Sequence, residues 1–380
     1  MLHSTPIATF CISALTLLNA CGMGSSGSTV GSSTVDTSTA VISSPGSSGS
    51  SPGSSAPIPV ETVDVATDLQ APWSVAFHGS TPLVSERDTA RILEVTADGG
   101  TRTVTEIRDA QPGGEGGLLG LAVQEDFLYT YYTTAGDNRI VRFPLTGEPG
   151  ALSTGDPEVI LDSIPSASTH NGGRIAFGPD GMLYATTGDV NERDNAQDDT
   201  SLAGKILRIT PEGAIPADNP IPDSPVYSMG HRNPQGIAWD ADGTMYSSEF
   251  GQSTWDELNI ITPGGNYGWP VVEGIAHREG FTDPIQQWRP AEASPSGMTV
   301  AGDSIFIANL RGQSLRQIPL AAPDTSRVLL DGEFGRLRDV VTAPDDTLLV
   351  LTNNTDGRGS PTPGDDRVLR IDPADLPGMR

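Results

Sequence analysis

One short pattern recurs six times along the chain, and it limits the fold more than any other feature. Each copy is an apolar pair, a turn containing Asp or Gly, and a second short apolar run. The clearest is Ile175-Ala176-Phe177-Gly178-Pro179-Asp180-Gly181-Met182-Leu183-Tyr184. Equivalent stretches begin at Val75, Leu121, Ile237, Met298 and Val340. The second residues of the pairs, Ala76, Ala122, Ala176, Ala238, Thr299 and Val341, lie 42 to 62 residues apart. Asp-Gly turns flanked by alternating runs mark tight β-hairpins, and no long segment combines helical periodicity with caps. Strand–turn–strand units at this period build propeller blades, because one blade alone cannot bury both of its faces. The expectation is an all-β, six-bladed β-propeller of four-stranded antiparallel blades over residues 61–380. The longer spacings mark loops inserted in the middle blades. A β-sandwich with coincidental Asp-Gly turns is the alternative.

What precedes residue 61 has a different character. Ile7 to Leu18 is a short apolar run followed by Leu18-Asn19-Ala20-Cys21. It is too short to span a bilayer and suits the core of a signal peptide over residues 1–20, although its n-region offers only His3 and no Lys or Arg. The Leu-Asn-Ala-Cys ending resembles a bacterial lipobox, in which Cys21 becomes the lipidated first residue; an uncleaved apolar N-terminus is the alternative. The only cysteines are Cys11 and Cys21, so a mature chain has no disulfide and no thiolate metal site. Residues 21–60 are dominated by Ser, Gly, Thr and Pro, with a single charge at Asp36, and read as a flexible tether. These features together predict an extracytoplasmic domain whose only membrane attachment is a lipid on Cys21. A net charge of −26 with one lysine, Lys205, argues against nucleic acid and against adsorption to anionic lipid.

Chemically suggestive residues fall just before or after the repeated strands. His170, ahead of Gly172-Gly173, is sterically open, and Asp189 on the far side of the same hairpin is placed to hydrogen-bond its ring. A lone histidine is as readily structural. Gly230-His231-Arg232-Asn233 precedes the fourth copy, and Glu249-Phe250-Gly251-Gln252 follows it. A glycine-rich bend with free carbonyls beside carboxylates suits a hard cation such as Ca²⁺, although it lacks EF-hand spacing and also reads as a solvated acidic loop. Arg311 follows the fifth copy, and Arg336-Leu337-Arg338 precedes the sixth. Alternate residues of a strand point the same way, so these two guanidiniums repel unless an anion lies between them. An outer Arg pair balanced by Asp is the plainer reading. Taken together, the groups describe a rim suited to an anionic cofactor with several carboxylates.

Several segments in order, Gly113-Gly114-Glu115-Gly116-Gly117-Leu118-Leu119-Gly120, His170-Asn171-Gly172-Gly173-Arg174, Gly230-His231-Arg232-Asn233-Pro234-Gln235-Gly236, Asp256-Glu257-Leu258-Asn259 and Asn266-Tyr267-Gly268-Trp269-Pro270, resemble the soluble PQQ-dependent aldose sugar dehydrogenases. The match runs from about Pro72 to Arg370. The resemblance implies PQQ and Ca²⁺ as cofactors, an aldose substrate oxidised at C1 to a lactone, and an external electron acceptor. It makes His170 the general base, Asp189 its orienting partner, and Arg232 the stabiliser of charge on the quinone. It places Glu115, Arg232, Asn233, Phe250, Leu310, Arg311, Gly312, Arg336, Leu337 and Arg338 at the cofactor. The carbonyls of Gly251 and Gln252 match ligands of a catalytic Ca²⁺, and Glu257 with the backbone of Tyr267 matches a second, structural Ca²⁺ site.

The chain departs from the family pattern at several positions. Arg311 stands for the usual Lys, Thr169 for an acid, and Phe250 and Gln252 for a polar residue and a proline. Glu115 stands where an amide is usual, and a carboxylate beside an anionic quinone is unfavourable unless protonated or paired. Two other functions suit such a propeller: a protein-binding module of the hedgehog-interacting-protein type, and a metal-dependent lactonase.

Overall fold

The computed structural model describes residues 59–376. The proposed leader, Cys21 and nearly all of the tether lie outside them. The described chain forms six separate antiparallel sheets, which are the six blades. Blade 1 consists of Pro72–His78, Thr81–Glu86, Arg91–Val95 and Thr101–Glu106. Blade 2 consists of Leu118–Gln124, Phe127–Thr133, Asn138–Thr146 and Glu158–Ile164, with the short Ser153–Thr154 also paired to its third strand. Blade 3 is Ile175–Phe177, Leu183–Thr187, Lys205–Ile209 and Val226–Met229, and blade 4 is Pro234–Trp239, Met245–Glu249, Asp256–Ile261 and Gln286–Trp288. Blade 5 is Pro295–Ala301, Ser304–Asn309, Ser314–Pro319 and Arg327–Leu329. Blade 6 takes Leu337–Thr342, Leu348–Thr352 and Val368–Ile371 from the C-terminal end and Val63–Ala66 from the N-terminal end. Val63 faces Arg370 and Ala66 faces Val368, so this pairing closes the ring. Each of the six repeats supplies the first two strands of one blade.

The period-2 alternation of the strands explains the assembly. Leu348 and Val350 pack toward blade 5, with Phe306, Ala308 and Leu315. Leu349 and Leu351, on the other face of the same strand, pack toward blade 1 with Val84 and Leu93. Blade 1 repeats the arrangement, with Leu83 and Ile92 turned toward Leu121 and Leu128 of blade 2. The apolar core is thus six clusters, one between each pair of neighbouring blades. The inner strands are covered on both faces, which is why Leu183–Thr187 is buried at every position, while outermost strands such as Thr101–Glu106 reach the surface.

A polar girdle ties the first strands together around the channel. Arg174 of the blade 3 approach donates from Nη1 to Asp339 of blade 6 at 2.8 Å and to Ser74 Oγ of blade 1 at 3.0 Å. Its Nε donates to the Gln235 carbonyl of blade 4 at 2.9 Å, and the Leu121 N–H of blade 2 reaches Ser74 Oγ at 3.2 Å. The Arg174 guanidinium lies 4.3 Å from the Trp73 ring centroid, which covers a charge that cannot be hydrated there.

Candidate active site

In each blade, the segment before the first strand and the segment after the second emerge on the same side. Their side chains converge on a cavity of about 430 Å³ at the channel mouth. Among the residues lining it are Glu115, His170, Arg232, Asn233, Phe250, Gly251, Gln252, Leu310, Arg311, Arg336 and Arg338. Most of the residues singled out from the sequence therefore meet in one place.

His170 sits in the left-handed backbone region, at φ +59°, as do Val190 and Asn191 opposite it, at +52° and +64°. Such conformations carry strain of about 1–3 kcal/mol each and persist where the surroundings enforce them. The surroundings here are tight. A Cβ on Gly188 would sit 1.9 Å from the His170 carbonyl oxygen, so only glycine lets Asp189 come this near the histidine. Asp189 is buried and accepts from His170 Nδ1 at 2.6 Å and from the Asn191 N–H at 2.9 Å through Oδ1. Its Oδ2 accepts from the Trp269 indole at 2.8 Å. Burial alone pushes the Asp189 carboxyl upward; the bonds from His170, Asn191 and Trp269 together outweigh it and hold the group below its usual range.

The other histidine nitrogen, Nε2, lies 2.8 Å from Arg232 Nη2. A guanidinium can only donate, so Nε2 presents its lone pair and the imidazole proton resides on Nδ1, against Asp189. This tautomer is the one a general base needs. Arg232 also donates from Nη1 to the carbonyls of Phe250 at 3.1 Å and Gly251 at 2.6 Å. Burial pulls its guanidinium below the ordinary value, and the charges of Asp189, Glu249 and Glu115 oppose that. The neighbouring His231 is structural: it is fully buried, with Nδ1 2.9 Å from Glu249 and Nε2 2.9 Å from Ser228 Oγ. Glu249 in turn receives the backbone N–H groups of Arg232 and Asn233.

The opposite wall is cationic. Arg336 and Arg338 are both buried and both face Asp356, at 3.0 and 3.8 Å. Asp356 is thus the anion that the Arg-x-Arg spacing calls for, supplied from the loop after the second strand of blade 6. It does not balance the wall. Burial pushes Arg338 down to about 9; Asp356 offsets part of this, while the charges of Arg336, Arg87 and Arg174 push it further. Six arginines line the cavity, Arg87, Arg232, Arg311, Arg336, Arg338 and Arg358, against two acids, Glu115 and Asp256. Burial raises Asp256 to about 6 against the opposing bonds from the Ser294 and Gly251 N–H groups, so it stays largely ionised at neutral pH and the arginines still outnumber the acids. Arg232 Nε, Asn233 Nδ2, Arg336 Nε and Arg338 Nε are buried donors with no partner. A cavity with surplus positive charge and unmatched donors fits a polycarboxylate anion such as PQQ.

The remaining assignments fare differently. The Leu337 side chain lies in the apolar cluster between blades 5 and 6, and Gly312 is packed against the Glu292 carbonyl; neither lines the cavity. The Phe250 and Gly251 carbonyls and the Asp256 carboxylate lie at the wall, but Arg232 already binds both carbonyls. Calcium takes about six to eight oxygens, so this wall supplies only part of a coordination sphere. Glu257 and Tyr267 are buried away from the cavity. Burial raises the Glu257 carboxyl, and the nearby Glu249 and Glu273 charges add to the rise, a tension that a bound cation would relieve. Trp73, Arg87, Gln235, Asp256 and Arg358 line the cavity without having been singled out as site residues. Gln235, Asp256 and Trp269 stood inside quoted motifs; Arg358, in a Thr-Asp-Gly-Arg turn, carried no local signal.

A proton-accepting histidine set in the wall of an anion-seeking pocket, at the mouth of a propeller channel, has the make-up of a catalytic propeller. The chain belongs to the glucose/sorbosone dehydrogenase family, whose model matches residues 69–361. It is similar to the aldose sugar dehydrogenase YliI of Escherichia coli, 30% identical over 347 residues, covering 80% of this chain and 92% of that one. Quinoprotein glucose dehydrogenase B of Acinetobacter calcoaceticus is 32% identical over 238 residues, covering 52% of this chain and 49% of that one. Among solved structures, the PQQ-bound aldose sugar dehydrogenase of Streptomyces coelicolor shares 48% identity at a TM-score of 0.78, covering 83% of this chain and 99% of that one.

Proposed function

We propose that this protein is a PQQ- and Ca²⁺-dependent dehydrogenase that oxidises aldose sugars at C1 to lactones. The observation that carries the reading is the fixed His170 tautomer beside the arginine-lined cavity. Bound PQQ would supply a two-electron acceptor for the C1 hydride, Ca²⁺ would supply Lewis-acid polarisation, and an external acceptor would be needed to reoxidise the cofactor. His170 Nε2 takes the proton of the anomeric hydroxyl, and Arg232 must yield its bond to Nε2 as the sugar enters. The imidazolium that forms is stabilised by Asp189, which Trp269 and the Asn191 N–H hold in place. Arg232 then sits where negative charge develops, and Arg336, Arg338 and Asn233 hold the cofactor's anionic groups. The Gly251 carbonyl, once released by Arg232, and the Gln252 carbonyl would contribute to a catalytic calcium, and Glu257 with the Tyr267 backbone to a structural one. The same reading has the domain exported and lipid-anchored through Cys21, on the strength of the leader and tether. A purely adhesive role leaves the dyad and the unmatched donors without a purpose, and a lactonase needs a cluster of acids where this cavity has arginines. The protein reconstituted with PQQ and Ca²⁺ should reduce an artificial electron acceptor when given aldoses, and His170→Ala should remove that activity. Equal rates for His170→Ala and wild type would reject the assignment.

A further inference from the structure

Glu115 and Arg358 are joined across the rim, and their pairing has a use that neither the dyad nor the arginine wall accounts for. Glu115 precedes blade 2, and its backbone N–H donates to the Ser168 carbonyl at 2.8 Å. Gly114, at φ +60°, allows that contact, since a Cβ there would lie 2.1 Å from the same oxygen. The two oxygens of the carboxylate then work separately. Oε2 accepts the backbone N–H of His170 at 2.9 Å, and Oε1 accepts from Arg358 Nη1, also at 2.9 Å. The residue receiving the first bond is the strained His170 itself. Arg358 is fixed in turn by its backbone N–H on Asp356 Oδ1 at 2.8 Å, and Asp356 receives Arg336.

The pairing resolves a conflict of charges. The cavity fits a polycarboxylate, and Glu115 lines it. An amide could accept from the His170 N–H with one oxygen but would turn its N–H₂ toward a guanidinium. A carboxylate satisfies both neighbours, and the guanidinium cancels its charge. We propose that Glu115 is a positioning residue for His170, and that Arg358 neutralises it so that an acid is tolerated beside an anionic cofactor. This rests on the reading of the cavity as a PQQ site.

The two roles separate in a cycle of variants, using apoprotein titrated with PQQ in the presence of Ca²⁺ alongside the turnover of the loaded enzyme. Arg358→Ala leaves a bare carboxylate and should weaken PQQ affinity about tenfold, the scale of one unpaired charge at moderate distance in a partly screened site. Adding Glu115→Gln to Arg358→Ala should restore that affinity, because no uncancelled charge remains. Glu115→Ala removes the acceptor for the His170 N–H and should lower kcat roughly tenfold or more with no loss of PQQ affinity. Glu115→Gln alone, able to accept that N–H, should recover most of the lost kcat. A merely structural part would move affinity and kcat together. An affinity loss in Arg358→Ala that persists beside Glu115→Gln would make Arg358 a direct cofactor ligand and overturn the inference. So would a Glu115→Ala enzyme with wild-type kcat. Wild-type apoprotein that fails to bind PQQ would instead overturn the reading of the cavity, and the inference with it.

Discussion

Replacing Asp189 with asparagine probes the dyad more finely than removing the histidine, because the geometry leaves the amide no good orientation. The carboxylate accepts three donors, from His170 and Asn191 on Oδ1 and from Trp269 on Oδ2. If the amide oxygen stays toward His170, its N–H₂ meets the Trp269 indole N–H. If it flips, the N–H₂ meets the Asn191 N–H and forces the imidazole proton onto Nε2, against Arg232. The first orientation has one donor–donor contact and the second has two, so the first is preferred. A buried unmatched donor costs about 1–3 kcal/mol, and exchanging a charged acceptor for a neutral one costs roughly 1–2 kcal/mol more. At about 1.4 kcal/mol per decade of rate, Asp189→Asn should lower kcat by roughly 30-fold to a few thousandfold. Adding Trp269→Phe removes the opposing indole N–H and should return about tenfold. Trp269→Phe alone should harm the enzyme, because Asp189 Oδ2 loses its partner. The assay is aldose-dependent dye reduction by the reconstituted single and double variants. A double variant no faster than Asp189→Asn would refute this account of how Asp189 is held.

Other consequences concern stability and placement. Lys205 is fully buried and donates to the carbonyls of Asn195, Ala196 and Ala203, and burial lowers its pKa from 10.5 to about 8. Between those values the folded state binds fewer protons than the unfolded chain, so stability relative to Lys205→Met should rise with pH, by about 3 kcal/mol from pH 7 to 10.5; urea unfolding at several pH values measures it, and a flat difference would contradict the burial. Arg174→Met removes the ion-pair partner of the buried Asp339, leaving it only the Val75 and Val340 N–H groups, and should cost about 3–5 kcal/mol in urea unfolding, with Asp339→Leu recovering part of the loss. Expressed with its leader in a bacterium that processes lipoproteins, the protein should fractionate with membranes, and Cys21→Ser should release it. Soluble wild-type protein would reject the anchor.

The part of the fold legible in the sequence is the part that is local. Each repeat is a hairpin closed within a few residues, so its turn and alternation show in the residues themselves, and the first two strands of all six blades follow. The outer strands carried less signal, Gln286–Trp288 being three residues long, and even the inner strand Ile175–Phe177 was readable only because a Pro-Asp-Gly turn follows it. The closing strand Val63–Ala66 gains its meaning from Val368–Ile371, at the far end of the chain. The site divides along the same line. His170, Asp189 and Arg232 flank repeats and could be named from position and resemblance. Arg358 could not, since its partner Glu115 is 243 positions away and the ring must close before they meet. That pairing also meets the objection to an acid at position 115. Leu337 was placed at the cofactor with Arg336 and Arg338 by the resemblance, but strand alternation turns its side chain into the core.

The central claim is tested most directly by a single turnover without an external acceptor. Apoprotein loaded with one equivalent of PQQ and excess Ca²⁺, mixed anaerobically with an aldose, should lose the absorbance of the oxidised quinone and yield one lactone per protein. Retention of that absorbance with no lactone, in protein shown to hold PQQ, would contradict it.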